Sequence, residues 1–265
     1  ALPIFNFHMS LEGTDLDKLA LSTEKLLAGT DSKITTIGYY CNPIQYAEHR
    51  KTLENVICTA GKFGATHVST FAGAWEGKPV ESAYEEFGKV FRELADLAEE
   101  KGVKLGIENC LMDGTWEHAT CNIGFNPKAW EVMFEEVKND NFGLEWEPTH
   151  QMVQLIDPVT ELRKWCKKIV HIHGKDATID WDAVRHSGIS GAVPFVWHRM
   201  PGFGDTNWRD IISILRSNGY EDDICIEGYH DPVYSGELEM TGQLHALNYL
   251  KWCRGGDFTP TPWAK

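Results

Sequence analysis

The sequence predicts an α/β fold of the (β/α)8 barrel class, and three observations carry the prediction. Short β-branched runs alternate with longer amphipathic segments, the pattern of parallel strands joined by helical crossovers. Four runs end on metal-competent side chains: KLGIE on Glu108, GLEWE on Glu147, IVHIH on His173 and ICIE on Glu227. Barrel enzymes place their chemistry at the carboxyl ends of strands. Finally, no glycine-rich phosphate fingerprint follows a strand, so an open doubly wound sheet is disfavoured.

In chain order, strands are expected at residues 3–7, 34–40, 67–71, 103–108, 142–147, 169–173 and 224–227. Residues 46–63 set Leu53, Val56, Ile57, Ala60 and Phe63 on one helical face, and residues 83–100 do the same with Phe87, Val90, Phe91, Leu94 and Leu97. Asn126-Pro127 and Asp157-Pro158 each supply an N-cap followed by Pro at the first helical position. They open helices carrying Trp130, Phe134 and Val137, then Leu162 and Trp165. Gly102 and Gly219 stand where C-terminal caps belong. Seven strands are one short of a complete barrel. Either an N-terminal βα unit lies outside a chain that begins with Ala, the preferred reading, or one strand is too irregular to recognise. The chain reads as one domain, 1–265, with 254–265 as an extended tail.

A formal net charge of -14 excludes a polyanion as the natural partner, because nucleic-acid binding depends on Lys and Arg neutralising phosphates. Small neutral or polar substrates fit better. The seven cysteines include no C-x-x-C pair and read as reduced thiols. The first residues, ALPIFNFHMS, lack a basic stretch followed by a long apolar one, and no run of 18 apolar residues occurs. A soluble, cytoplasmic protein without membrane contact is expected, with a homo-oligomer as its assembly.

Strand parity then tests whether the four runs converge. Leu105 and Ile107, Leu144 and Trp146, Val170 and Ile172, Ile224 and Ile226 form the apolar parity and should face helices. Gly106 and Glu108, Glu145 and Glu147, His171 and His173, Cys225 and Glu227 take the opposite, inward side. A carboxylate on its own at a strand end is ordinarily solvated or capping; four metal-competent groups of one parity and one polarity are not four accidents. Clustered carboxylates repel one another, and a divalent cation removes that penalty. Oxygen-rich ligation with one imidazole suits Mn²⁺, Mg²⁺ or Co²⁺, and Zn²⁺ less without thiolates. One layer below, Glu145 and His171 can pair, either as a buttress to the ligands or as an ordinary buried polar contact.

At these residues the chain resembles the xylose-isomerase-like TIM barrels, specifically the sugar phosphate isomerase/epimerase family with its ketose 3-epimerase relatives. The motifs are GIEN around Glu108, GLEWEPTH with Glu147 and His150, VHIHGKD with His173, HRMPGFGDTNW with Arg199, and CIEGYHD with Glu227. They are specific for the superfamily and poorly specific for substrate. The resemblance implies Glu108, Glu147, His173 and Glu227 as metal ligands, with Mn²⁺ the leading cation, and His150 as a substrate contact. It also implies that Glu108 and Glu227 exchange a proton on opposite faces of a keto-sugar through an enediolate, in isomerisation or epimerisation. Glu147 departs from the usual Asp, so its carboxylate reaches farther by about 1.5 Å, one carbon–carbon bond.

Several further side chains are candidates. Arg199, placed in the loop before Pro201-Gly202, could bind a hydroxyl, carboxylate or phosphate, or make a surface ion pair. Lys175 and Asp176 are as suited to an internal salt bridge as to touching substrate. Trp75 and Trp197, taken as loop residues, are plausible walls for a sugar. Trp146 and His67 read as structural; His8 and Glu76 follow strands and are weak pocket candidates. Beside epimerisation stands a lyase or dehydratase, since an enediolate with a leaving group on the next carbon can eliminate. An apurinic-site endonuclease is disfavoured by charge, and a non-catalytic subunit is the remaining alternative.

Overall fold

The computed structural model describes residues 2–5, 8–257 and 259–261. Seven strands form one sheet: β1 (Leu2–Phe5), β2 (Ile34–Gly38), β3 (His67–Thr70), β4 (Lys104–Glu108), β5 (Phe142–Trp146), β6 (Ile169–Gly174) and, alongside β6, β9 (Ile224–Ile226). From β1 to β6 each strand pairs in parallel with the next in sequence. All seven strands expected from the sequence are present. The first is Leu2–Phe5 in place of 3–7, residues 6 and 7 lying outside those described. No eighth strand joins this sheet among the described residues. The chain between β6 and β9 instead makes a separate antiparallel ribbon, β7 (Asp176–Ile179) with β8 (Val196–Arg199).

The chain gathers into two compact units that interleave along the sequence. The first comprises residues 1–151, 167–173 and 222–225; the second comprises 152–166, 174–221 and 226–265. In the first, helices α1 (Leu16–Leu27), α2 (Ala47–Thr59), α3 (Tyr84–Lys101) and α4 (Pro127–Glu136) connect the strands, and the short α5 (Pro148–Met152) follows β5. Leu53, Val56, Ile57 and Ala60 are fully buried, as the periodicity requires, while Phe63 is half-buried. The α3 stripe of Phe87, Val90, Phe91 and Leu94 meets β5 through a cluster of rings. Phe87 stacks on Phe91 at 4.6 Å between centroids, and Phe142 lies 5.6 Å from Phe134 and 5.9 Å from Phe91. Burial of each such side chain stabilises by roughly 1.5–3 kcal/mol, which clamps β5 between α3 and α4.

The caps follow the sequence. Gly102 ends α3 in the left-handed region at φ 69°, and Asn126 accepts a hydrogen bond from the Lys128 amide at the start of α4. Helix α1 was not expected; its Asp15 cap accepts from the Lys18 amide, but only Leu16, Ala20 and Thr23 of its face are buried.

The second unit holds α6 (Pro158–Trp165), the ribbon with α7 (Trp181–Ser187) between its strands, α8 (Trp208–Ser217) and α9 (Glu239–Cys253). Helix α6 packs on α8, and α8 on α9. Asp157 caps α6 by accepting from the Thr160 amide at 3.0 Å. The buried Asp176 carboxylate accepts from the amides of Ala177, Gly202 and Thr206, which pins the turn after β8. Gly204 must stay small there, since a Cβ would lie 2.4 Å from Asp176 Oδ1 and 2.5 Å from the Ala177 carbonyl. Residues 259–261 carry no regular secondary structure, and 262–265 of the expected tail lie outside the described residues. No described helix is long and apolar enough to cross a membrane.

Candidate metal centre

Strand register brings the inward polar residues of the first unit together. Glu108 pairs across β4–β5 with Glu145, and Glu145 pairs across β5–β6 with His171. Glu147 and His173 follow two residues farther along, on the same side of their chains. The end of β4 is tied to the residue after β5 by Asn109, whose side chain donates to the Glu147 carbonyl at 2.9 Å and accepts from the Glu147 amide at 2.7 Å. Asn122 donates to the carbonyls of Glu108 and Cys110 and accepts from the Ala72 amide, joining the ends of β3 and β4. Behind Glu147, buried Trp146 donates its indole N–H to Gln151 at 2.9 Å, fixing α5 against the strand end. The two chain ends bearing carboxylates are therefore held by backbone-directed hydrogen bonds.

The carboxylates of Glu108 and Glu147 both approach one ring nitrogen. His173 Nδ1 lies 3.0 Å from Glu108 Oε1 and 3.6 Å from Glu147 Oε2, and all three side chains are buried. One donor atom from each lies within 4.8 Å of the others. On the other edge of the ring, His173 Nε2 is 3.2 Å from Glu145 Oε1. Burial opposes charge on this imidazole, yet Glu145, Tyr40 and Glu108 together hold its pKa well above the usual histidine range. His171 behaves likewise: burial opposes its charge, but Cys225 and Glu145 raise it to about 9. Burial alone would raise the Glu145 pKa, and the facing His173 and His171 hold it below the usual carboxylate range instead.

Two acidic oxygens directed at one imidazole nitrogen, on three buried side chains, make a donor set that fits a divalent cation; Glu108, Glu147 and His173 are the residues that could hold it. The absence of a thiolate in this trio keeps the set oxygen-rich. His150 lies beside the trio, its Nε2 3.2 Å from Glu147 Oε1.

Glu227 is the first residue beyond β9, in the second unit. Its amide donates to the carbonyl of Gly174, the residue after His173, at 3.1 Å. Its half-buried carboxylate accepts from Lys175 Nζ at 2.7 Å. Of the two alternatives for Lys175 and Asp176, the mutual salt bridge is not formed: Lys175 pairs with Glu227, and Asp176 is occupied by backbone amides. Arg199 and Trp197 are also corrected, from loop to strand, because residues 196–199 pair with 176–179 in the ribbon. The Arg199 guanidinium lies 3.4 Å from the buried Asp231, and Trp197 is 43% exposed opposite Thr178. Trp75 is half-buried in the turn after β3. His198, beside Arg199, has its pKa lowered to about 4 by burial and by nearby Lys175 and His230.

Tyr40, Asn109 and Asn122 are the participants whose roles the sequence did not reveal. The hydroxyl of Tyr40 donates to Glu145 Oε2 at 2.8 Å and lies 3.5 Å from His173 Nε2. Its one legible signal was position: a polar residue at the carboxyl end of the 34–40 run.

Residues 5–251 match the family described as the xylose isomerase-like TIM barrel. The chain belongs to that family. Among sequence relatives of this xylose isomerase-like TIM barrel chain is an inosose dehydratase of Clostridium tetani, 26% identical over 182 residues; the match covers 67% of this chain and 57% of the relative's length. Among solved structures, a D-psicose 3-epimerase superposes with a TM-score of 0.69 at 15% identity, covering 96% of this chain and 89% of that one. The IOLI protein with a bound zinc atom gives a TM-score of 0.65 at 21% identity, over 95% and 85% of the respective chains. These two likenesses show the fold.

Proposed function

We propose that this chain is a divalent-metal-dependent dehydratase of a keto-sugar or cyclic keto-polyol. The observation that carries the reading is the convergence of the buried Glu108 and Glu147 carboxylates on His173 Nδ1. The inosose dehydratase relative supports a keto-polyol as substrate and water as the leaving group. Glu227 is proposed as the fourth ligand from its inward strand parity and the CIEGYHD motif of the sequence.

Bound there, a divalent cation would polarise the substrate carbonyl and acidify the neighbouring C–H. Glu108 is the base that takes the proton from the carbon beside the carbonyl. The C–H electron pair becomes a C=C bond as the C–O bond of the hydroxyl on the next carbon breaks. The departing hydroxide takes up the proton that Glu108 accepted, so that water leaves and Glu108 is restored, while Glu227, paired with Lys175, stays a ligand. His150, held against Glu147, donates to a substrate oxygen and orients the ring. A substrate returned its proton on the opposite face would be epimerised instead; two carboxylates available for proton exchange, Glu108 and Glu227, favour this second reading.

Incubation of the Mn²⁺-loaded protein with a cyclic keto-polyol in D₂O, followed by NMR, separates the two. Dehydration gives an unsaturated or diketone product with loss of one water. Epimerisation gives deuterium at an inverted carbon with every hydroxyl retained. No deuterium uptake and no product with Mn²⁺, Mg²⁺, Co²⁺ or Zn²⁺, over a panel of keto-sugars and keto-polyols, would contradict both.

A further inference from the structure

We infer that Glu145 is a positioning residue, which fixes the tautomer and ring plane of His173 so that Nδ1 is presented to Glu108 and Glu147. The inference rests on the reading of those three residues as a metal site.

Glu145 is fully buried and lies outside the Glu108, Glu147 and His173 trio; with His171 and His173 it forms a second group whose donor atoms lie within 4.8 Å of one another. One of its oxygens lies 2.7 Å from His171 Nδ1 and 3.2 Å from His173 Nε2, and the other accepts the Tyr40 hydroxyl at 2.8 Å. An ionised carboxylate only accepts, so each ring nitrogen facing Glu145 must carry hydrogen. For His173 this places N–H at Nε2 and leaves Nδ1 as the nitrogen directed at Glu108 and Glu147. Without metal, a proton on Nδ1 faces the two carboxylates; a divalent cation would take that proton's place while Nε2–H stays on Glu145, which is the arrangement a metal ligand needs. A carboxylate on the far ring nitrogen also raises ligand basicity.

The remaining contacts of Glu145 keep it still. His171 is itself held on its other side, with Nε2 3.3 Å from Cys225 Sγ, and the Tyr40 ring packs 5.2 Å from that of Phe71. Rotation of Glu145 would break its contacts with His171 Nδ1, His173 Nε2 and the Tyr40 hydroxyl together.

The test compares wild type, Glu145→Gln and Tyr40→Phe after chelator treatment. Mn²⁺ affinity and stoichiometry are measured by calorimetry, the Co²⁺ visible spectrum reports the ligand field, and circular dichroism of the metal-free proteins reports the fold. Glu145→Gln keeps the shape but turns an N–H toward one of the donors. It should weaken Mn²⁺ binding about 10- to 100-fold, the range for partners of a ligating histidine, and shift the Co²⁺ bands. Tyr40→Phe should weaken it about threefold with a smaller shift in the same direction. A wild type that takes up no metal would defeat the metal-site reading itself. A wild type that binds one ion, with Glu145→Gln within twofold of it and spectrally identical, would overturn the positioning role. Two ions in wild type and one in Glu145→Gln would overturn it too, making Glu145 a ligand of its own site. If Glu145→Gln does not fold, Tyr40→Phe decides: unchanged affinity and spectrum overturn the inference.

Discussion

Replacing Gly143 with Ala measures how tightly the sheet is built beneath the carboxylates. Gly143 lies in β5 with ordinary backbone angles, so conformational strain is not the issue; space is. A Cβ there would stand 2.3 Å from the Lys168 carbonyl oxygen and 2.6 Å from Val170 Cγ1. The nearer of these is backbone and cannot rotate aside. Restoring a tolerable contact of about 3.0 Å requires β5 and the start of β6 to part by about 0.7 Å, a strain in the range of roughly 1–3 kcal/mol for overpacking. The upper half of that range is expected, because the strands are hydrogen-bonded at this level. For a chain of this length about 2 kcal/mol lowers Tm by about 4–8 °C. The shift enters two residues before Glu145 and three before His171, so Mn²⁺ affinity should fall as well. Thermal melts and urea denaturation of the metal-free protein supply the readout. Gly228→Ala is the control, since its Cβ would meet the flexible end of the Met200 side chain at 2.0 Å and 2.6 Å; its loss should be less than half as large. A Gly143→Ala stability within about 0.5 kcal/mol of wild type, the size of an ordinary surface change, would refute the close-approach argument.

Three other outcomes follow from the same contacts. The His171 pKa, raised to about 9, means that the folded metal-free protein holds this proton more tightly than the unfolded chain. The associated stability, about 3 kcal/mol from a shift of this size, is fully present below about pH 6.5 and declines as pH rises through 9; urea midpoints that stay flat from pH 6 to 10 would contradict it. Glu147→Asp withdraws the carboxylate by about 1.5 Å from a backbone that Asn109 holds in place, and it breaks the 3.2 Å contact with His150. Mn²⁺ binding should weaken about tenfold in calorimetry, and equal or tighter binding would show that the longer side chain is not used for reach. Asp157→Ala removes the acceptor for the Thr160 amide and should cost about 1 kcal/mol, seen as a lower urea midpoint with an unchanged slope.

Much of this molecule was legible because strands carry a period of two. Parity alone placed Glu108, Glu145, Glu147, His171 and His173 on one side, and their mutual contacts agree; burial does not separate the two parities, since Leu105, Ile107, Leu144, Trp146 and Ile172 are buried as well. The Glu145–His171 pair was legible for the same reason, through neighbouring strands. Helices with strong stripes and Asn-Pro or Asp-Pro starts were equally plain. What escaped is informative. Helix α1 leaves Leu21 and Leu26 exposed, so its leucines do not make one clean stripe. The β7–β8 ribbon joins two four-residue strands across 16 intervening residues, and no turn signal marks such a pairing. Tyr40 reaches Glu145 across 105 positions, and Lys175 chooses Glu227 over its neighbour Asp176. Such partners depend on tertiary proximity, to which local pattern is blind.

The most direct test of the central claim is equilibrium dialysis of the chelator-treated protein against Mn²⁺, with the bound metal counted by atomic emission. Wild type should bind one equivalent per chain, and Glu147→Gln and His173→Gln, folded by circular dichroism, should each bind at least about 100-fold more weakly. A wild type without bound metal, or variants that retain it at wild-type affinity, would contradict the assignment of Glu108, Glu147 and His173 to a common cation.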